Sequence, residues 1–234
     1  MASPVNSEWT SVAIPGGAFF DAYLARPPAG SGPGLVLFQE IFGVNRHIRA
    51  VADQYALDGF VVLAPDVFWR QAARIELGYA GADMDRARAL MGGVKPEQLL
   101  ADIGSTVKAL RARPEVTAKV GAFGYCMGGR LAFFAAATAG VDAAACFYGG
   151  AIQDNLDKAP SVMCPIQFHY GERDAVIPPA AVEKVKAALA GKRAEFFTYQ
   201  ADHGFNCWER GSYEPRSAAQ AHARALAHFA THLY

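Results

Sequence analysis

Residues 120–137 constrain the fold more strongly than any other part of the chain. The apolar run Val120–Phe123 leads into Gly-Tyr-Cys-Met-Gly at positions 124–128, and an alanine-rich segment follows up to Ala137. This order predicts a strand, a sharp turn and a helix, in which glycines let the two backbones approach closely. A turn of this kind lifts the side chain of Cys126 above the carboxyl end of a sheet, with the backbone amide of Met127 beside it.

Strand and helix patterns alternate along the rest of the chain. Short apolar runs bounded by glycine and proline are typical of strands buried in a parallel sheet, and the segments between them predict helices. We predict strands at 35–38, 60–64, 120–123, 143–148, 166–170 and 194–199, a β-hairpin at 12–25, and helices at 47–58, 83–91, 96–113, 179–190 and 218–234. This alternation favours an α/β fold with a mostly parallel central sheet covered by helices on both faces, in one domain spanning residues 1–234.

The charge balance argues against a polyanionic partner. The chain has 22 basic and 22 acidic side chains, so no bulk charge attracts it to nucleic acid or to an anionic membrane. No signal peptide is recognisable, the longest low-charge stretch (131–140) is too short to cross a bilayer, and the four cysteines lack metal-ligand or disulfide-framework spacing. We therefore expect a cytoplasmic monomer or small homo-oligomer with reduced thiols and no metal, acting on a small molecule.

Four reactive residues fall at the carboxyl ends of predicted strands, where sheets of this type bind ligands. They are Glu40, Cys126, Asp174 and His203. A cysteine attacks as the thiolate, so it needs a helix N-terminus or a base nearby, and the helix after Cys126 supplies the first. His203, in a loop after a strand, is the candidate base, and Asp174, in an earlier polar loop, is the candidate carboxylate that orients it.

Other residues compete for these roles. Glu172 is an alternative to Asp174, and Asp202 is a weaker one because side chains adjacent in sequence seldom face each other. Cys146 and Cys164 lie in apolar strands and are interpreted as core cysteines. His169, also in an apolar strand, is interpreted as a core histidine. We expect the remaining histidines on solvent-exposed helix faces: His47, His222, His228 and His232.

Four segments resemble the dienelactone hydrolase (carboxymethylenebutenolidase) family. They are Gln39–Asn45, Ala64–Asp66, Gly124–Gly129 and His203–Phe205, and the likeness extends from about residue 35 to the final helix. The resemblance implies the α/β-hydrolase fold and a reaction that needs no metal or organic cofactor. Within that fold Asp66 is expected to be structural.

The resemblance also implies residue roles. Cys126, Asp174 and His203 would form a catalytic triad, and the amides of Met127 and Ile41 would form the oxyanion hole. The carboxylate of Glu40 would sit near the thiol and disfavour the thiolate in the resting enzyme. Keeping the thiol neutral in this way limits its oxidation. An anionic substrate would displace this carboxylate, and Glu40 would then act as a catalytic residue that helps to deprotonate the thiol. Alternatively, Glu40 caps a loop or pairs with an arginine.

Substrate recognition is expected to depend on arginines, whose planar fork suits carboxylates. In the family one arginine follows the Pro-Asp pair, and Arg88 is the nearer match here, with Arg86 as the alternative. The second comes four residues after the histidine, where this chain has Cys207, so Arg210 is the remaining candidate. Each of these arginines is alternatively a solvated charge. Four aromatic residues are candidates for an apolar pocket: Phe42, Tyr125, Phe205 and Trp208.

Together these features predict hydrolysis of a small, anionic ester or lactone through a thioester on Cys126. The resemblance suggests a dienelactone opened to maleylacetate. Three alternatives stay open: a broader carboxylesterase for activated esters, a non-catalytic hydrolase-fold protein that binds small carboxylic acids, and a redox sensor at Cys126. The last has no resolving cysteine evident from the spacing.

Overall fold

The structure, a computed structural model, describes residues 4–234 and is built on an eight-stranded sheet. Neighbouring strands follow the order β1-β2-β4-β3-β5-β6-β7-β8. The first two strands form an antiparallel hairpin, β2 also pairs antiparallel with β4, and all other pairs are parallel. The strands are β1 (Asn6–Ala13), β2 (Phe19–Arg26), β3 (Gly32–Phe38), β4 (Val61–Pro65), β5 (Val116–Tyr125), β6 (Ala143–Phe147), β7 (Ile166–Gly171) and β8 (Ala194–Tyr199).

Residues 4–234 contain six α-helices. They are α1 (Arg46–Leu57), α2 (Gly81–Gly92), α3 (Pro96–Arg111), α4 (Met127–Thr138), α5 (Pro179–Ala188) and α6 (Pro215–Leu233). Of these, α1, α3, α4 and α6 pack against the sheet. Helices α3 and α4 pack together on one face, and α1 meets α6 on the other, where the ring of Tyr55 contacts those of His222 and Phe229. Among residues 4–234, no helix combines the length and apolar character that crossing a bilayer requires.

Burial follows the apolar pattern of the central strands. Every residue of β3, β4, β6 and β7 is buried, as expected for parallel strands covered on both faces. The predicted α/β fold with a mostly parallel central sheet is confirmed. The predicted elements match within about four residues, except that the hairpin begins at Asn6 instead of residue 12. Strand β5 begins at Val116 and not at the predicted residue 120. Its first four residues are not buried, so they lack the apolar pattern used for the prediction, but they still pair within the sheet. Helix α6 begins at Pro215 because the Glu214 carboxylate caps the amides of Arg216 and Ser217.

Two histidines depart from the prediction. His47 and His228 were expected on solvated helix faces, but both are buried. His47 packs edge-on against Trp208, with ring centroids 4.2 Å apart, and His228 lies on the buried face of α6 beside Phe229. Burial lowers the pKa of each imidazole to about 4, so both rings are neutral at neutral pH. His169 is a core histidine as predicted, and its Nδ1 lies 2.8 Å from the Tyr199 hydroxyl.

Candidate active site

Cys126 occupies the sharp turn between β5 and α4. Its backbone angles, φ 56° and ψ −116°, lie in a region that residues other than glycine rarely adopt. The turn is held on both sides: the Cys126 amide donates to the Phe147 carbonyl at 3.0 Å, and the Cys126 carbonyl accepts from the Gly129 amide at 3.0 Å. The thiol is therefore fixed above the carboxyl end of β5, at the N-terminus of α4.

Glycine at position 128 is required by the close approach of α4 to the strand beside it. A Cβ atom there would lie 2.6 Å from the carbonyl oxygen of Gln39 and nearer still to that of Phe38. Both are backbone atoms of β3 or the residue after it, so neither can move aside cheaply. The glycine in the turn sequence thus meets a steric need.

His203 and Asp174 lie next to this turn. The Asp174 side chain is fully enclosed, accepts from the amides of Val176 and Ile177 at 2.8 and 3.1 Å, and places Oδ2 2.8 Å from His203 Nδ1. The imidazole and the Cys126 thiol line the same cavity. Burial alone would lower the pKa of His203, but the interactions with Asp174 and Cys126 outweigh it and raise the pKa to about 10. The structure thus brings these three side chains together.

The competing carboxylates lie elsewhere. Glu172 is exposed and accepts a hydrogen bond from Gln200, and Asp202 is half exposed and pairs with Arg173 at 3.7 Å. Asp66 accepts from the amides of Phe68 and Arg74, which makes it the structural residue that the sequence predicts. Within residues 4–234, none of these three carboxylates hydrogen-bonds to the His203 imidazole.

Two backbone amides flank the thiol. Ile41 and Met127 line the same cavity as Cys126. Within residues 4–234 neither amide donates to a backbone or side-chain acceptor, so both can donate to a ligand oxygen. Since Met127 opens helix α4, the helix dipole also favours negative charge at this point.

Glu40 lies just after β3 and is buried beneath the cavity. Its Oε1 accepts a hydrogen bond from Arg210 Nη1 at 2.9 Å. Burial raises the pKa of Glu40 even though Arg210 and His203 oppose that shift. No hydrogen bond joins Glu40 to Cys126 in the described part of the chain. Pairing with an arginine, the alternative that the sequence leaves open, is therefore the arrangement in this conformation.

Arg210 reaches Glu40 across a glycine. Gly204 has φ 81°, and a Cβ atom there would lie 2.5 Å from Arg210 Nη1. Cys207, which stands where the family has an arginine, is buried beside Glu40 and Tyr79, and burial raises the pKa of its thiol to about 12. The neutral thiol of Cys207 cannot bind an anion as a guanidinium does. Arg210, three residues further along the chain, places its guanidinium at the cavity instead.

The thiol opens into a cavity of about 390 Å³, a size that suits a small ligand. Phe42 and Arg88 line it as predicted. Tyr125 and Phe205 do not, because both are fully buried beneath it, where the Tyr125 hydroxyl meets Asn206 and the ring of Phe205 contacts Tyr148. The exposed side chain of Arg86 also lies outside the cavity lining.

Sequence reasoning missed one cationic residue of the cavity. Arg130 follows Cys126 by four residues, one turn along α4, and lines the cavity with Gly150, Ala151 and Gln153 from the loop after β6. The i,i+4 spacing from the thiol was the available signal. Trp208 instead lines a wider, open cleft of about 670 Å³ with Asn45, which contains neither Cys126 nor His203.

A cysteine in a strained turn between a parallel strand and a helix, with a histidine and an aspartate from later loops at the same edge of the sheet, is typical of the α/β-hydrolase fold. Comparisons with known proteins narrow this class. The chain belongs to the dienelactone hydrolase family, whose model matches residues 20–233.

Relatives cover nearly the whole chain. A Synechocystis sp. protein assigned as a carboxymethylenebutenolidase is 34% identical over 90% of this chain and 91% of its own length. The carboxymethylenebutenolidase of Pseudomonas sp. strain P51 is 33% identical over 94% of this chain and 93% of its own. A crystal structure of a Klebsiella pneumoniae protein assigned as a dienelactone hydrolase superposes with a TM-score of 0.85, at 31% identity, covering 97% of this chain and all of that one.

Proposed function

We propose that this protein is a cysteine-dependent hydrolase that cleaves an ester or lactone through a thioester intermediate. The observation that carries the proposal is that Cys126 and His203 line one cavity, while the enclosed Asp174 places Oδ2 2.8 Å from His203 Nδ1. A cation formed by His203 stabilises a thiolate at Cys126, and the enclosed Asp174 carboxylate stabilises that cation. Membership of the dienelactone hydrolase family supports the same class of reaction.

The reaction follows from this geometry. The Cys126 sulfur attacks the carbonyl carbon, and the oxyanion accepts from the amides of Ile41 and Met127. Collapse forms the thioester and expels the alcohol or enol oxygen, which takes up the proton held by His203. Neutral His203 then takes a proton from water as the water attacks the thioester, and the second collapse releases the carboxylic acid and restores the thiolate.

Glu40 has a gating role in the proposed cycle. A carboxylate beside the sulfur disfavours the thiolate, while one bonded to Arg210 does not. Without substrate, Glu40 is bonded to Arg210. A substrate carboxylate that binds Arg210 would release Glu40, which can then help to remove the thiol proton, as its raised pKa allows. Once protonated, Glu40 no longer opposes the thiolate, so substrate charge and thiol reactivity are coupled.

The substrate class is a small lactone or ester that carries a carboxylate. Three guanidinium groups line the cavity, from Arg88, Arg130 and Arg210, against apolar walls that include Phe42. Relatives named carboxymethylenebutenolidase support a dienelactone, opened to maleylacetate, as the substrate. An enolate is a good leaving group, which suits a thiolate nucleophile.

The test is direct observation of the thioester. Wild-type protein quenched during turnover of an activated aryl ester should gain one acyl group at Cys126 by mass spectrometry, and Cys126→Ala should gain none while keeping its fold. Wild-type rates in Cys126→Ala would refute the assignment. Comparing kcat/KM for a dienelactone with that for simple aryl esters separates a lactone hydrolase from a broader carboxylesterase. Ligand protection of the thiol without acylation would indicate a binding protein.

A further inference from the structure

Arg130 is a cation without a partner at the wall of the cavity. Its guanidinium forms no ion pair or side-chain hydrogen bond with any residue from 4 to 234, and its Nε is buried without a hydrogen-bond acceptor. Asp154 and Cys126 attract it from beyond ion-pair distance. By contrast, Arg210 is bonded to Glu40, and Arg88 is a mostly exposed side chain 3.9 Å from Asp85.

This position is electrostatically unfavourable for the folded protein alone. Arg130 stands in the first turn of α4, where the helix dipole disfavours positive charge, and that turn contains no acidic residue. Burial lowers the pKa of its guanidinium, which shows the cost of holding the charge away from water. Arg130 is partly buried, and an unpaired cation held partly away from water destabilises a fold unless something else supplies the anion.

Arg130 lies on the β6 side of Cys126. The backbone amide of Arg130 packs against Gly149, and its cavity neighbours Gly150 and Gln153 follow β6. The guanidinium of Arg210, which lies 5.8 Å from the Phe42 ring centre, is on the β3 side. Because β5 stands between β3 and β6 in the sheet, the thiol lies between two cationic regions.

We propose that Arg130 binds a carboxylate of the substrate on the β6 side of Cys126, in a subsite separate from the one formed by Arg88 and Arg210. The planar guanidinium offers two parallel donors, and the first amides of α4 add a dipole of the same sign. A substrate with an acidic group there is held with its carbonyl near the thiol. This inference rests on the proposed hydrolase function, and it makes Arg130 a specificity-determining residue.

The first test compares two esters that differ in one group. The p-nitrophenyl monoester of adipic acid carries a terminal carboxylate, and p-nitrophenyl hexanoate has a methyl group in its place. Loss of a charge-assisted, two-pronged contact should lower kcat/KM of Arg130→Gln for the adipate ester by about tenfold to a hundredfold. The hexanoate ester should change by less than about threefold, because it offers no partner for the charge.

Arg193→Gln is the matched control. It removes the same charge from an exposed arginine just before β8, at the amino end of the strands and thus opposite the cavity. This variant should change kcat/KM for neither ester. An equal decrease in kcat/KM for both esters in Arg130→Gln, or no decrease for either, would refute the proposed carboxylate subsite. A lower melting temperature in Arg130→Gln with an unchanged ratio of the two rates would instead assign Arg130 a structural role.

A second test does not require turnover. Iodoacetate and iodoacetamide alkylate the same thiolate, so the ratio of their rates at Cys126 reports anion binding near the sulfur rather than thiolate supply. We expect Arg130→Gln to lower that ratio by about tenfold, whereas Arg193→Gln leaves it unchanged. A wild-type protein inactive on both esters but with this change would refute the hydrolase and retain the subsite. An unchanged ratio would refute the subsite.

Discussion

Replacing Asp174 with asparagine tests the proposed triad most directly. The carboxylate is fully enclosed and holds His203 Nδ1 at 2.8 Å while it accepts from the amides of Val176 and Ile177. Asparagine keeps an oxygen for those amides but turns an N–H toward Nδ1. The imidazole must then carry its proton on Nε2, which faces Cys126, so it can no longer accept the thiol proton.

The magnitude follows from the burial of the pair. Removing one partner of a buried ion pair costs about 3–5 kcal/mol, and at about 1.4 kcal/mol per pKa unit this lowers the pKa of His203 by about 2–4 units. Its value of about 10 in the parent protein would thus fall to about 6–8, close to or somewhat above the ordinary value of 6.5. The same free energy, expressed in the transition state, corresponds to a loss of about a thousandfold in kcat.

The assay is kcat for a neutral aryl ester at neutral pH, with the His203 pKa read from the imidazole NMR signals. Asp202→Asn is the control, because this adjacent carboxylate is half exposed and pairs with Arg173 instead. It should stay within about twofold of the parent, as expected for a surface ion pair. Similar losses in the two variants, or a loss below tenfold in Asp174→Asn, would refute the reasoning.

The same pair of groups predicts the pH dependence of stability. Because folding raises the pKa of His203 from 6.5 to about 10, the folded state binds the proton more tightly than the unfolded state. The resulting stabilisation is complete below pH 6.5 and declines as pH rises toward 10. The difference in unfolding free energy between the parent and Asp174→Asn should therefore shrink between pH 6 and pH 9 in urea titrations. A difference that grows with pH would contradict the charge state assigned to His203.

Three further predictions concern the turn and the buried ion pair. Cys126→Ser should keep the fold but lose at least about a hundredfold in kcat, because nothing at the site favours an alkoxide; parental rates would argue against a thiol-specific site. Glu40→Gln should lower the unfolding free energy by about 3 kcal/mol in urea titrations, since it leaves the Arg210 guanidinium unpaired; an unchanged value would mean that the pair contributes nothing. Gly128→Ala should fail to fold or lose several kcal/mol, whereas Gly104→Ala on α3, where a Cβ meets open space, should gain up to about 1 kcal/mol; equal stabilities would refute the close approach seen at Gly128.

The parts of the site that lie within one short segment could be predicted from the sequence. The turn at Cys126 needs glycines and an apolar strand within about ten residues, so its pattern is complete in one stretch of sequence. Asp174 and His203 follow from the same logic, since each ends a strand and the carboxyl ends of parallel strands share one edge. The resemblance to a known family then placed Glu40 in the same region.

The remaining features required segments that are distant in the chain to meet. The bond between Glu40 and Arg210 spans 170 residues, and it depends on the space left by Gly204. Whether a side chain faces a cavity is decided by which segment covers it. Tyr125, beside the nucleophile in sequence, therefore lies in the core, while Arg130 opens into the cavity.

The strand–helix order, the strained turn and the residue types available for catalysis follow from local sequence, because hydrophobic periodicity and glycine sterics act over a few neighbouring residues. Which charges are paired depends instead on the three-dimensional fold. Pairing depends on distances between separate elements and on how far each group is removed from water, and neither quantity is encoded in any single segment.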